Sequence, residues 1–556
     1  MLNRRWMTAW RLFKSWKLKE FLSRTLRFLS SLSNKKDKII YSEWRQKWVE
    51  LNKEQRQKIK ERIDSFPENL SFTLILDIQG HDSTNVLETI QSLIAQLYPN
   101  WLLWVTNYDS TDIELKEKIL KLQDGRIKIM DSYTSELSNW IIELTPGTIL
   151  NEKALFLNAC TAINKPVVQV IYSDHDHVDP TGEYCDPYMK PNWNPDLFTA
   201  MNYFGPLVAC KKELWETHRD DRSNEHEFLL KVTKNISSDG IFHISDVLAS
   251  ISITGDGTHL EPPCKRIKHP LPEPEPIVSI LIPTRDNGRI LENCLESLFE
   301  ETSYSNFEVI LVNHETTESK ALKVLQKFEK KINFEIINFS GSFNFSAMMN
   351  LAGSAAKGDI LVLLNNDIKI IDSEWLTELV SQVSRAEVGI VGALLLFGDG
   401  TIQHAGVHPG SGGLMGHGHK HLSGNNPGYF NRLKAVHEVA AVTGACMAIE
   451  KSTWFELGGL DEENLPVAYN DIDLCFKARK KGLRVIFTPY AKVIHLESVS
   501  RGVDDNPLVN ERLRKELEVI RDRWSGILNV DPAYSPNLSF DGGSFELSEN
   551  PQNINF

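Results

Sequence analysis

From about residue 70 onward, short apolar runs rich in β-formers alternate with stretches of helical period. Phe72–Leu76 and Trp101–Val105 predict strands, and Val86–Leu97 between them predicts a helix. The pattern restarts at Ile277–Ile282, followed by a helix over Ile290–Phe299 and a strand over Phe307–Val312. Strand–helix–strand alternation at this spacing predicts βαβ units and a mainly parallel sheet. Six prolines between Glu261 and Pro276 forbid regular structure and predict an extended linker between the two halves. Tyr98-Pro-Asn-Trp101 precedes the second strand of the first half, and Tyr304-Ser-Asn-Phe307 mirrors it in the second, so one α/β unit is placed twice. Upstream, residues 43–66 read as a single solvated helix. Trp6, Trp10, Phe13 and Trp16 recur at spacings that share one helical face.

Composition narrows the function classes. At 556 residues the chain predicts two or three domains, and 41% apolar content suffices for sizeable cores. A net charge of −13 argues against bulk nucleic-acid binding. No apolar run approaches the roughly 18 residues that span a bilayer, and no signal peptide is expected. Seven scattered cysteines without a C-x-x-C pair exclude a thiolate zinc cluster and predict a reducing, cytoplasmic setting. Residues 1–36 depart from the acidic remainder, with ten Lys/Arg and one acid. Two readings stay open for this basic, aromatic-striped helix: it rests on the inner face of an anionic membrane, or its aromatic face packs on the body of the protein.

Candidate chemistry gathers in the second half. The apolar run Asp359–Leu364 leads straight into Asn365-Asn366-Asp367, and open α/β sheets place ligands at such strand ends. A carboxylate there can hold a hard divalent cation against a diphosphate, although Asn and Asp also favour plain turns. Further on, Tyr469-Asn-Asp-Ile-Asp-Leu-Cys475 opens a helix that Asn470 or Asp471 can cap. The spacing of Asp471 and Asp473 turns the two carboxylates to different sides, so one can serve as a general base and the other is structural. His495 and Arg501 can close over phosphates. Five histidines among glycines between Gln403 and His421 suit a mobile acceptor-side loop better than a metal site.

Taken together, residues 277–510 resemble the catalytic domain of inverting family 2 glycosyltransferases, the bacterial enzymes of O-antigen, capsule and rhamnose-rich polysaccharide assembly. The matching runs are Val278–Asp286, Phe343–Ser346 with Asn350, Leu363–Ile368, Asp399–Gly406, Thr443–Cys446, Asp461–Val467, Tyr469–Cys475 and His495–Gly502. The resemblance implies a GT-A fold, a nucleotide-sugar donor, a saccharide or lipid-linked saccharide acceptor, and Mn2+ or Mg2+. It implies Asp367 and His495 as metal ligands and Asp471 as catalytic base. Thr284, Arg285, Asp286, Asn313, Asn365, Asn366 and Arg501 would lie against the donor. A hexosyltransferase is implied, with rhamnose as first guess. Asn313-His314-Glu315 stands where the family usually has an acid after the second strand, which leaves the nucleotide base open. Ile520-Arg-Asp-Arg-Trp524 is similar to the Q-x-x-R-W element of processive synthases but lacks its Gln.

Residues 70–250 resemble the family 2-like domain that precedes this catalytic domain, through Tyr172–Asp179, Met189–Asp196 and Asn202-Tyr203. Leu144–Thr148 and Asn224–Glu227 stand where a catalytic copy has its metal and base motifs, and the final His is missing near Leu248–Ser250. Asp174 and Asp176 read as a solvated turn rather than a metal site. The expected architecture is therefore a basic helical segment (1–68), a degenerate glycosyltransferase-like domain (69–252), a linker (253–276), a catalytic GT-A domain (277–525) and a tail (526–556), both domains being Rossmann-like α/β. The competing expectation is a non-catalytic carbohydrate-binding scaffold that keeps both folds without turnover.

Overall fold

The computed structural model describes residues 40–67, 70–107, 113–129, 137–220, 224–253, 263–409, 415–496, 507–528, 531, 533–539 and 545–551. The basic segment 1–36 and Arg501 lie outside them. The chain divides into two compact units, residues 1–50 and 51–556. In the first, the Tyr41–Trp48 helix buries Trp44 and Arg45, and Arg45 pairs with Glu50.

The single helix expected over 43–66 is in fact two, Tyr41–Trp48 and Lys53–Ile63. Asn52 starts the second one. Its side chain accepts from Gln55 N at 2.9 Å while the Gln55 side chain accepts from Asn52 N at 2.9 Å, a reciprocal cap that fixes a helix start. Nor is the second helix fully solvated, since Ile59 is buried in the core of the first half.

The first half forms β1 (Phe72–Asp77), β2 (Trp101–Thr106), β3 (Ile127–Ile129), β4 (Trp140–Leu144), β5 (Thr148–Leu150), β6 (Val170–Val178), β7 (Tyr184–Tyr188), β8 (Val208–Lys211) and β9 (Ile241–Ser252). The second forms β10 (Val278–Thr284), β11 (Phe307–His314), β12 (Phe334–Phe339), β13 (Ile360–Leu364), β14 (Ile368–Ile370) and β15 (Val388–Leu396). It continues with β16 (Ile402–His404), β17 (Val407–Pro409), β18 (Met415–His417), β19 (His437–Glu438), β20 (Cys446–Glu450) and β21 (Arg484–His495). The strand orders are β3-β2-β1-β4-β8-β6-β9-β5 and β12-β11-β10-β13-β20-β15-β21-β14, the same path traced twice. The first four strands of each path run parallel, and β8 or β20 enters antiparallel beside them.

The repeated Tyr-x-Asn motif has a structural cause. Tyr98 and Tyr304 donate their hydroxyls to Leu70 O (2.7 Å) and Pro276 O (2.6 Å), just ahead of β1 and β10. The carbonyls of Asn100 and Asn306 accept from Phe72 N and Val278 N at 3.1 and 3.0 Å. Each motif thus pins the chain entering the first strand. β10 itself is buried on both faces, with Val278, Ile280 and Ile282 in one core and Leu281 in the other. That two-sided burial is why it reads as a continuous apolar run.

The halves share a buried polar seam. Asp196 receives both guanidinium nitrogens of Arg385 at 2.8 and 3.0 Å and also pairs with Arg484. Burial alone would raise the Asp196 pKa, but Arg484 and Arg385 outweigh it and hold it below the usual range. Tyr188 stacks on Phe430 with ring centroids 3.8 Å apart. The tail contributes as well: Asp531 lies 3.0 Å from His408 Nδ1, and Asn537 donates to Asp174 at 3.2 Å. Asp174 and Asp176 are therefore no solvated turn but buried positions of β6, Asp174 being held by Lys190 N (2.7 Å) and His243 Nε2 (2.8 Å). The described histidines between 403 and 421 also depart from a mobile loop. His404, His408 and His419 are buried, His404 Nδ1 sits 2.9 Å from His417 Nδ1, and His419 stacks on Phe545 at 4.3 Å. Among the described residues no helix is long and apolar enough to cross a membrane.

Candidate active site at the end of strand β13

β13 is apolar throughout and ends where Asn365 N donates to Ala445 O at 3.0 Å. The chain turns through Asn366 and Asp367 into β14, whose antiparallel register on β21 sets Ile368 opposite His495. That register brings the buried Asp367 and His495 together, with Nε2 3.0 Å from Oδ1. His495 Nδ1 lies 2.6 Å from Gln403 Oε1, and Asn365 Nδ2 lies 3.3 Å from Nε2. An amide oxygen only accepts, so Nδ1 carries a proton, while Nε2 stands between the Asp367 carboxylate and the Asn365 amide. Gln403 Nε2 faces the His495 carbonyl at 3.5 Å, which agrees with that amide orientation.

Deprotonated at Nε2, this imidazole beside the carboxylate could take a divalent cation. Carboxylate with imidazole would suit Mn2+ better than the strictly oxygen-seeking Mg2+. Among the described residues no three His, Cys, Asp or Glu side chains gather as a metal cluster, so this pair would share a cation with ligand oxygens and water.

Beside the pair, Asn366 Nδ2 donates to Thr284 Oγ1 at 2.9 Å, and Thr284 stands opposite Asn313 in the β10–β11 register. Asn313 Nδ2 in turn donates to Asn338 Oδ1 at 2.9 Å. Arg285 is exposed. Asp286 is occupied locally: it accepts from Glu318 N and Thr317 N at 2.8 and 2.7 Å, and those bonds lower its pKa.

Asp471 approaches from the other side. Its helix, Asn470–Lys480, begins at Tyr469 in a left-handed conformation (φ 60°) with no side-chain cap, so neither Asn470 nor Asp471 caps it. Asn470 instead donates to Ser346 Oγ at 2.9 Å. Asp471 Oδ2 accepts from Gly444 N at 2.9 Å and Oδ1 from Ile472 N at 2.8 Å. Burial raises its pKa despite these donors and the Thr443 hydroxyl. Gly444 adjoins Ala445, the partner of Asn365, so one short bonded path links Asp471 to the Asp367–His495 turn.

Asp473 faces away into the Pro507–Leu528 helix, where Arg523 (2.7 Å), Trp524 Nε1 (2.8 Å) and Lys477 (2.9 Å) surround it. The Arg-Trp pair of the Ile520–Trp524 run thus clamps that helix. Asp473→Ala leaves buried donors and charge unpaired, and chemical denaturation is expected to show a loss of about 3 kcal/mol.

The first half lacks these groups. Thr145-Pro146-Gly147 follows β4 as Asn365-Asn366-Asp367 follows β13, so Gly147, at φ 92°, stands at the place of Asp367. The β5–β9 register pairs Thr148 with Ile251, which puts Ile251 at the place of His495. In the first turn of the Glu225–Thr233 helix, His226 Nε2 is spent on Phe198 O at 2.6 Å.

Sequence reasoning passed over Gln403 and the amide of Gly444. Gln403 was visible within Asp399–Gly406, but only the fold shows which side chain it meets.

The family model described as glycosyltransferase like family 2 matches residues 274–515. An uncharacterised protein of Sinorhizobium fredii, y4gI, is 32% identical over 552 residues, covering 89% of this chain and 61% of its own length. The O-antigen biosynthesis protein RfbC of Myxococcus xanthus is 27% identical over 526 residues, covering 85% of this chain and 41% of its own. The chain thus spans less than two thirds of either relative. Among solved structures, GalNAc-T7 with UDP, GalNAc and Mn2+ aligns over 46% of this chain and 49% of its own, with 16% identity and a TM-score of 0.37. Residues 274–515, which hold Asp367, His495 and Asp471, belong to the glycosyltransferase-like family 2.

Proposed function

We propose that the second half transfers a sugar from a nucleoside-diphosphate donor to a saccharide or lipid-linked saccharide acceptor, with inversion at the anomeric carbon. The observation that carries this reading is the Asp367–His495 pair, its ring nitrogen Nε2 3.0 Å from the carboxylate and joined by a short bonded path to Asp471. Asp367 and His495 would hold Mn2+ or Mg2+, which neutralises the diphosphate and its departing charge. Thr284, Asn313, Asn365 and Asn366 line the donor side, with Arg285, Asp286 and Arg501 assigned there from the family motif.

Asp471 takes the proton of the acceptor hydroxyl while that oxygen bonds to the anomeric carbon and the carbon–oxygen bond to the diphosphate breaks. One displacement from the far side inverts the centre, and no protein nucleophile is needed. A raised pKa makes Asp471 a stronger base than an ordinary aspartate. The first half, with Gly147 and Ile251 in place of the metal pair, serves structure or acceptor handling. The basic segment 1–36 is assigned to the inner face of an anionic membrane on its charge alone.

Thermal shift with a panel of nucleotide-sugar donors, with and without MnCl2, tests the donor class. A donor at 100 times its Kd stabilises the fold by about 2.7 kcal/mol. One donor is expected to raise the melting temperature only when Mn2+ or Mg2+ is present. If no donor shifts it under either condition, the reading fails.

A further inference from the structure

We propose that Gln403 is a positioning residue for the metal–diphosphate site, holding His495 in the tautomer that offers Nε2 rather than an N–H to the cation. The inference rests on the glycosyltransferase reading of the site and adds to it a residue outside the ligand set.

Three observations carry it. First, the bond between His495 Nδ1 and Gln403 Oε1 is short, 2.6 Å, and both residues are largely enclosed. Second, the local strand geometry serves this contact. β16 pairs with β15 through Leu395 opposite His404 and Leu396 opposite Ile402, so two steps on β16 oppose one step on β15. Gln403 is the extra residue, and a bulge re-aims a side chain that a regular ladder would place elsewhere. Third, both amide ends of Gln403 engage the same residue, with Oε1 on the ring and Nε2 3.5 Å from the His495 carbonyl. Ring orientation and proton position are set together.

The chemistry follows from the two ring nitrogens. With its one proton on Nδ1, the ring has an Nε2 lone pair beside Asp367 Oδ1 at 3.0 Å that can ligate a divalent ion once the Asn365 amide, 3.3 Å away, turns aside. With the proton on Nε2, the same ring could only hydrogen-bond to Asp367 and would contribute nothing to a metal. Partners that fix the tautomer of a ligating histidine typically change metal affinity by about 10- to 100-fold. In the first half Ile251 occupies the equivalent place, and no ring exists there to orient.

The test uses the full chain and a readout independent of turnover: MnCl2 titrated by electron paramagnetic resonance in the presence of UDP, dTDP, GDP or CDP. Wild type is expected to take up one Mn2+ with at least one of these nucleotides. Gln403→Leu should weaken that uptake by about 10- to 100-fold. Gln403→Glu keeps an oxygen facing Nδ1 and should bind Mn2+ as tightly as wild type or tighter. Circular dichroism of each variant separates misfolding from lost affinity; should Gln403→Leu misfold, Gln403→Met, isosteric and unable to accept strongly, takes its place. Wild-type uptake with equal affinity in the folded Leu or Met variant would overturn the positioning role and leave the glycosyltransferase reading standing. No Mn2+ uptake by wild type with any of the four nucleotides would overturn that reading itself.

Discussion

Replacing Asp471 with asparagine is expected to slow glycosyl transfer by about 10²- to 10⁴-fold, the usual contribution of a general base. The substitution keeps size and polarity but removes the oxygen that, in the proposed reaction, takes the acceptor proton. An asparagine can still accept from one of the two amides that now bind the carboxylate, Gly444 N and Ile472 N, so the melting temperature should fall by only a few degrees. Donor affinity should change little, because the proposed reaction gives Asp471 the acceptor hydroxyl rather than the donor. The wild-type rate carries a pH signature as well. Burial raises the Asp471 pKa, and the base works only when ionised. Activity should therefore fall on acidification at a pH above that of an ordinary aspartate, and this acid limb should vanish from the residual activity of Asp471→Asn. Steady-state rates between pH 4 and 8 would show both effects.

Acid should also unfold this protein earlier than its size suggests. Burial lowers the pKa of His404 and His419 well below the usual histidine value, and that of His417 and His437 to about 4 and about 3. In the unfolded chain each titrates near 6.5. Below that pH the unfolded state binds protons that the folded state refuses, so stability is whole above about 6.5 and drains away as pH falls toward 4. Four such groups together cost about 5 kcal/mol per pH unit once well below 6.5, comparable with the whole stability of many folds. Asp196 acts in a different window, since its lowered pKa means its ion pairs fail only below about 3.8. Urea midpoints between pH 7.5 and 5 should fall with pH, reporting net proton uptake on unfolding. A flat profile would mean that these histidines are solvated.

How far these features were legible in the sequence depends on how local their causes are. β13 and the Asn365–Asp367 turn read directly because an apolar run that stops at polar residues marks a buried strand's end. The duplication was legible too, because Tyr98 and Tyr304 perform the same backbone contact and so recur in the same place. The break at Asn52 was missed, since helical propensity on both sides hides a single capping residue. The histidines between 403 and 421 misled in the opposite direction. Glycine among them reads as flexibility, whereas the tail packs on His408 and His419, and His404 is buried against His417. Asp174 failed for the same reason, as a polar residue whose partners, His243 and Asn537, lie 69 and 363 residues away, and Asp176 is buried on the same strand. Gln403 was hidden by a bulge, a register irregularity that leaves no periodic trace.

The central claim is that one metal–diphosphate site exists, in the later half, built on Asp367 and His495. Calorimetric titration of the full chain with a nucleoside diphosphate in saturating MnCl2 tests it most directly. The account predicts one site per chain in wild type and none in Asp367→Ala, with melting temperatures that stay close. A stoichiometry of two, or binding that survives loss of the Asp367 carboxylate, would contradict it.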